Sequence, residues 1–192
     1  MRWAQVVRET AETKVRVSLN LDGTGEGRVS TGIGFFDHML TLLARHGSFD
    51  LEVEAKGDLE VDGHHTVEDT GICLGRAFLQ ARGEGKGIAR FGHALLPMDE
   101  ALALVAVDIS GRGFLAYEVP CPVERVGALD SQLGEEFLRA LAANGGITLH
   151  VRLLAGANGH HILEAVFKGL GVALRSALRV EGDRVPSTKG VL

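Results

Sequence analysis

The chain is short of three things. It has only two cysteines, Cys73 and Cys121, far apart and without a CxxC spacing. Neither a disulfide framework nor a thiolate metal site has the residues it needs, and two reduced thiols are expected in preference to one bridge between them. It lacks any excess of positive charge: 20 Lys and Arg stand against 25 Asp and Glu, a net charge of −5. Nothing there calls for a polyanionic partner, so nucleic acid is not expected. It also lacks an apolar run near the ~18 residues that a membrane span needs. The opening MRWAQVVRETAETKVRV alternates charged and apolar residues with no apolar stretch for export. The expectation is a soluble, cytoplasmic protein in which the 192 residues form one compact domain or two fused halves.

What the chain has in quantity is glycine, 26 residues, about twice ordinary usage. Tight turns or close backbone approaches follow. Hydrophobic residues, 45% of the total, suffice for a buried core.

The chain is also written twice. Residues 63–75 read GHHTVEDTGICLG and residues 159–171 read GHHILEAVFKGLG. Both carry Gly-His-His-x-x-Glu followed by Leu-Gly, 96 positions apart, half the chain. The surroundings repeat in order. In the first half, an alternating strand over 15–21 is followed by the turn Asp22-Gly23-Thr24-Gly25. A helix over 35–46, a strand near 49–55 and a helix over 64–82 complete it. In the second, strands near 102–109 and 113–119 precede a helix over 131–143, a strand over 147–154 and a helix over 160–179. The expected fold is α+β: two duplicated ββαβα halves, each a sheet with helices on one face, packed by pseudo-two-fold symmetry. The whole chain, 1–192, reads as a single catalytic domain, with halves of about 1–87 and 88–192 joined near Arg82-Gly83-Glu84-Gly85-Lys86-Gly87.

The repeated motif has the character of a metal site. On a helix, the Glu shares a face with a His three or four residues before it. Adjacent histidines diverge by about 100° around the axis, so they are badly placed to grip one ion together. Two ions, each reached by a different His, resolve this, and four His with two Glu supply both. Imidazole and carboxylate without thiolate suit manganese, iron, zinc or nickel, and octahedral sites with open positions favour Mn²⁺. The alternative, helix-start histidines acting as caps, has to explain the same pattern twice. Aligning helix 36–46 on 134–144 sets His38 opposite Glu136, and both join the candidate ligands.

TGIGFFDHML (31–40), DGHHTVEDTG (62–71), PMDEAL (97–102), HVRLLAGANGHHILEAVFK (150–168) and PSTKG (186–190) together resemble the signature segments of one family, imidazoleglycerol-phosphate dehydratase of histidine biosynthesis. The resemblance covers nearly the whole chain. It implies loss of water from D-erythro-imidazoleglycerol phosphate to give imidazoleacetol phosphate, with the ring held as imidazolate between two Mn²⁺ per active site, other divalent transition metals serving as alternatives. A diazafulvene-like intermediate, followed by a base acting at C2, is what the family is thought to use. His38, His64, His65, Glu68, His160, His161 and Glu164 match its metal-binding positions. Glu136 stands where many members have His. Glu12 matches a substrate-facing Glu and is the choice for proton transfer, while Glu68 and Glu164 are open between ligand and base. Arg90, Arg112, Lys168, Ser187 and Lys189 match phosphate- and substrate-contacting positions. His46 either closes its helix or lines the pocket. Asp99 and Glu100 either support the site or are ordinary surface residues. The resemblance further implies a homo-oligomer of 24 chains with sites between subunits. Two rival classes stay open: a different metal-dependent hydrolase or lyase acting on a phosphate ester, and a structural or storage module without catalysis.

Overall fold

The computed structural model describes residues 2–192. Two four-stranded sheets carry the same strand order. The first holds β1 (Trp3–Glu9), β2 (Thr13–Asn20), β3 (Gly27–Ser30) and β4 (Asp50–Gly57), in the order β1-β2-β4-β3. The second holds β5 (Phe91–Met98), β6 (Ala101–Asp108), β7 (Phe114–Glu118) and β10 (Thr148–Ala155), in the order β5-β6-β10-β7. In each, two antiparallel pairings lead to a final parallel one, β3 with β4 and β7 with β10. A small hairpin, β8 (Arg125–Val126) and β9 (Leu129–Asp130), lies between β7 and the next helix.

The helices are α1 (Gly34–Gly47), α2 (His64–Arg82), α3 (Leu133–Gly145) and α4 (Gly159–Leu178). Each sheet packs its own two helices on one face, and the halves meet through helix pairs, α1 on α4 and α2 on α3. Exchanging the halves turns one pair into the other, as a pseudo-two-fold requires. Phe36 of α1, Phe137 of α3 and Phe167 of α4 stack through the centre at 5.3 and 5.4 Å between rings, all nearly inaccessible.

The α+β architecture is the expected one, with one correction: each half opens with a strand more than ββαβα. The extra strands, β1 and β5, are both sheet edges. An edge strand buries one face and tolerates polar residues and even Pro97 near its end, so its pattern is weak. The duplication is also uneven. Three residues join β3 to α1, whereas 119–132 join β7 to α3 and hold the hairpin. Cys73 is buried, which pushes its thiol up to about 11, and Cys121 is half-buried; both are free thiols. No helix among the described residues is long and apolar enough to cross a membrane.

Glycine decides how closely the halves approach. A Cβ on Gly75 would lie 2.6 Å from Leu141 O and 2.9 Å from Gly145 N. Its counterpart in the repeat, Gly171, would meet Leu43 O at 2.7 Å and Gly47 N at 2.9 Å. Both contacts are with backbone, which cannot step aside as a side chain can. Gly75→Ala and Gly171→Ala should each destabilise the fold by about 1–3 kcal/mol through overpacking, although alanine is the better helix former. Gly34→Ala, with open space around it, should be neutral or stabilising. Thermal unfolding of the three variants checks the contrast.

Candidate metal and substrate site

A parallel strand pair needs a crossover, and here the crossover is a helix running back along the sheet. All four helices therefore begin at one end of the molecule. A Cβ on Gly63, just before α2, would lie 3.0 Å from Ile33 Cδ1 and 3.3 Å from Leu133 Cδ1, at the starts of α1 and α3. The candidate ligands all sit in the first two turns of these helices.

Local hydrogen bonds set each start. Asp37 Oδ1 accepts from Thr31 N at 2.9 Å and Thr31 Oγ1 at 2.5 Å, tying the end of β3 to the turn that carries His38. Asp62 Oδ1 accepts from His64 N at 2.7 Å. Asn158 Oδ1, 96 positions later, accepts from His160 N at 2.9 Å and His161 N at 3.3 Å. These caps satisfy amide groups that a helix start leaves without partners.

His38, His160 and Glu164 converge. Their ligand atoms all lie within 4.8 Å of one another. His38 Nε2 is 2.7 Å from Glu164 Oε1, and His160 Nε2 is 3.8 Å from the same oxygen. The set is drawn from both halves, since α1 packs on α4. Two imidazole nitrogens and one carboxylate oxygen suit a divalent transition metal and leave coordination positions open. Lys168 Nζ donates to Glu164 Oε2 at 3.0 Å. Burial pushes the Glu164 carboxyl up, but His38 and Lys168 outweigh it and hold the group below the usual carboxylate range. The Phe35 ring meets His160 edge-on at 5.0 Å. His46, two turns beyond His38 on α1, has its imidazole pushed down by burial and by the Lys168 charge.

The equivalent set in the other direction is His64, Glu68 and Glu136. His64 and Glu136 line a common cavity of about 550 Å³, walled by residues before α2, the β8–β9 hairpin and the start of α3. His38 lies beside His160, the first histidine of the opposite half's motif, while Glu136 shares only a cavity with His64 and stands 3.8 Å from Arg139 Nε. Glu68 lies one turn beyond His64 and is half-buried. Among the described residues, only the His38 set draws three such groups within 4.8 Å.

The second histidine of each motif turns away from the first, with ring planes 85° apart for His64 and His65 and 82° for His160 and His161. Both are held through Nδ1. Asp58 Oδ2 lies 3.0 Å from His65 Nδ1, with Glu12 Oε2 at 3.7 Å. Glu100 Oε2 lies 2.7 Å from His161 Nδ1. These carboxylates raise both imidazoles, Asp58 for His65 and Glu100 for His161. The His161 hydrogen bond in turn lowers Glu100 to about 2. A carboxylate on Nδ1 is the usual support of a ligating histidine; it leaves Nε2 as the other ring nitrogen, which in His161 lies 3.6 Å from Asp99 Oδ2.

The candidate phosphate residues are elsewhere. Arg90 grips Asp108 at 2.8 Å and donates to Pro186 O at 2.8 Å, which brings the PSTKG turn with Ser187 and Lys189 beside it. Arg112 NH2 lies 4.0 Å from Asp108. Arg90 precedes β5, whereas Glu100 and His161 lie past the other end of that strand, about 25 Å away at strand rise. Lys168 alone of the five joins the metal candidates. No single chain closes the whole expected site.

Comparison with known proteins settles the lineage. A family model described as imidazoleglycerol-phosphate dehydratase matches residues 31–174. The chain belongs to that family. It is 63% identical to the imidazoleglycerol-phosphate dehydratase of Desulforudis audaxviator over 100% of this chain and 98% of that one. It is 59% identical to that of Heliobacterium modesticaldum over the full length of both. The crystal structure of the dehydratase from Staphylococcus aureus superposes with a TM-score of 0.84 at 39% identity, covering 93% of this chain and 99% of that one. That from Pyrococcus furiosus, in complex with (S)-C348, gives 0.84 at 41% identity, covering 97% and 100%. Membership makes the chain a hydro-lyase.

Sequence reasoning passed over Asp58 and the caps Asp62 and Asn158, and left Glu100 between support and surface. The caps were findable, because Asp62 and Asn158 stand at the motif offset and two residues before each histidine pair. Asn158→Ala should cost about 1 kcal/mol of stability. It should also speed amide exchange at His160 and His161, read by hydrogen–deuterium exchange; unchanged exchange there would count against the cap.

Proposed function

We propose that this dehydratase converts D-erythro-imidazoleglycerol phosphate to imidazoleacetol phosphate in histidine biosynthesis, with two Mn²⁺ per active site. The observation that carries the metal reading is the convergence of His38, His160 and Glu164 from opposite halves of the chain. His64, Glu68 and Glu136 form the matching set, and His65 and His161 would hold ions through Nε2 together with ligands of a neighbouring subunit. Bound metals would supply Lewis acidity and hold the substrate ring as imidazolate.

The chain's own groups do the rest. Glu164 is buried and engaged by His38 and Lys168, which suits a ligand and not a mobile base, and Glu68 takes the same role by its place in the repeat. Glu12 is exposed beside His65 and takes the proton from C2 after the C3 hydroxyl has left as hydroxide; that proton and the hydroxide together make up the water released. Arg90, Arg112, Ser187 and Lys189 grip the phosphate, with Lys168 and His46 at the metal end of the substrate. Because the phosphate group and the metal ligands stand at opposite ends of one sheet, the site is completed between subunits, in a homo-oligomer of 24 chains. The whole chain, 1–192, acts as one catalytic domain duplicated at about 1–87 and 88–192. It works in the cytoplasm on a small imidazole phosphate, without nucleic acid or membrane.

Purified protein should turn over imidazoleglycerol phosphate, lose activity on chelation and regain it with Mn²⁺. Product formation unaffected by chelation would remove the metal from the reading, and no product with any metal would remove the reaction. Light scattering supplies a separate check: chelation should break the assembly into smaller oligomers, and one unchanged particle size would show that metal does not hold the subunits.

A further inference from the structure

The repeat contains its own control experiment. Glu12 and Glu100 occupy the same place in the two halves, each in the turn joining the first two strands of its sheet, 88 residues apart. Each faces the second histidine of its half. Yet the two carboxylates are in opposite states. Glu100 is fully used: Oε2 accepts from His161 Nδ1 at 2.7 Å, and Oε1 accepts from Asn158 N at 2.8 Å and Ala157 N at 3.3 Å. The Glu12 carboxylate makes no hydrogen bond among the described residues, and its side chain is 56% exposed.

Asp58 accounts for the difference. It lies in the six-residue connection 58–63, and its two oxygens stand 3.0 and 3.2 Å from His65 Nδ1, the position that Glu100 fills in the other half. The shorter stretch 156–159 ahead of His160, Gly-Ala-Asn-Gly, has no carboxylate to offer. His161 therefore takes Glu100, while His65 takes Asp58 and leaves Glu12 free.

A second difference lies beneath the same turn. Asp69, buried on α2 four residues after His65, accepts from Arg8 Nε at 2.8 Å through Oδ1 and from Thr13 Oγ1 through Oδ2. Thr13 Oγ1 is 3.3 Å from Thr10 Oγ1, which accepts the backbone N–H of Glu12 at 3.1 Å and of Thr13 at 3.0 Å. A chain of hydrogen bonds thus runs from the helix of the histidine motif to the backbone of Glu12. At the matching places in the second half stand Leu96, Ala101 and Ala165, with both alanines fully packed. The same architecture forms there without any polar cluster. The Arg8 side chain is 32% exposed, and a partly buried ion pair contributes little beyond the apolar packing that can replace it, so stability does not explain why one half keeps it.

We propose that Asp58 and Asp69 are positioning residues for Glu12. Asp58 keeps its carboxylate free by occupying His65, and Asp69 fixes its turn at a set distance from the metal-motif helix. Glu100, its duplicate, has become an orienting partner of His161. The proposal rests on the reading of Glu12 as the proton-transfer group.

The test uses the metal-loaded, assembled enzyme with Asp58→Ala and with the triple variant Arg8→Leu/Thr13→Ala/Asp69→Ala, which copies the second half. Each should lower kcat by about tenfold to a hundredfold, as small misplacements of a reacting group do. Because Asp58 also supports His65, metal is kept saturating in every assay; KM should then stay within about threefold and particle size should not change. If the triple variant does not fold, Thr13→Val removes only the hydroxyl link and carries the same expectation on kcat. Both changes are then made in a Glu12→Gln background, where they should cost nothing further, because the group they position is gone. Equal losses with and without Glu12 would mark a merely structural role and overturn the proposal. A large loss in Glu12→Gln beside unchanged kcat in the positioning variants would overturn the proposal alone. Full activity in Glu12→Gln would overturn the reading of Glu12, and the proposal with it.

Discussion

The site exists where it does because each sheet ends on a parallel pair. Parallel strands cannot be joined by a tight turn; the chain must cross back, and it does so as a helix. With β3 parallel to β4 and β7 parallel to β10, α1 and α3 run back along their sheets and α2 and α4 follow in the same sense. Four helix starts gather at one end. The motif residues need only sit in the first turns of those helices to meet, and cross-half packing chooses which of them meet. Gly75 and Gly171 keep the helix pairs close enough for His38 to reach Glu164.

Four helix starts also bring four positive dipole ends together, an arrangement that favours carboxylates and disfavours bare cations. The chain answers with acids. Asp37 and Asp62 accept from amide or hydroxyl groups near the helix starts, where Asn158 does the same as a neutral amide; Asp58 and Glu100 back the two outward histidines, and Glu164 stands between His38 and His160. An ion entering this end meets negative charge already organised against the dipoles. The same carboxylates raise His65 and His161, so protons and metal compete for the two imidazoles, and metal affinity should weaken as the pH falls.

The repeat was legible because a metal motif imposes residue type and spacing together, and so were the helices, whose apolar positions recur with a strong period. Aligning Leu40 and Leu43 on Leu138 and Leu141, core positions that cannot drift, set His38 opposite Glu136; that His38 meets the far half's motif depends on how α1 packs on α4, which no local pattern carries. The edge strands β1 and β5 were not legible, since their buried positions hold small residues such as Ala4, Gly92 and Ala94 while Trp3, Val7, Phe91 and Leu95 are exposed, which blurs the alternation in VVRE and FGHALLPM. Nor was the hairpin of 119–132, which has no counterpart in the first half to announce it. Asp58 was hidden for a different reason: a carboxylate in a polar loop carries no period at all, and its role depends on the direction in which His65 turns.

A duplication that builds two equal half-sites would produce two equal turns, and the sequence offers both a glutamate. The chain instead spends one and spares the other. The half with the longer connection can afford a dedicated aspartate for its outward histidine, whereas the half with the short Gly-Ala-Asn-Gly connection must use the turn glutamate itself. Two residues of loop length therefore decide which carboxylate stays available for chemistry. The partly buried Arg8–Asp69–Thr13 cluster lies under the spared glutamate and has apolar counterparts under the other. The symmetry of the fold supplies paired candidate ligands, and its local breaking at these two turns leaves the site with one free carboxylate where an exact repeat would have left two or none.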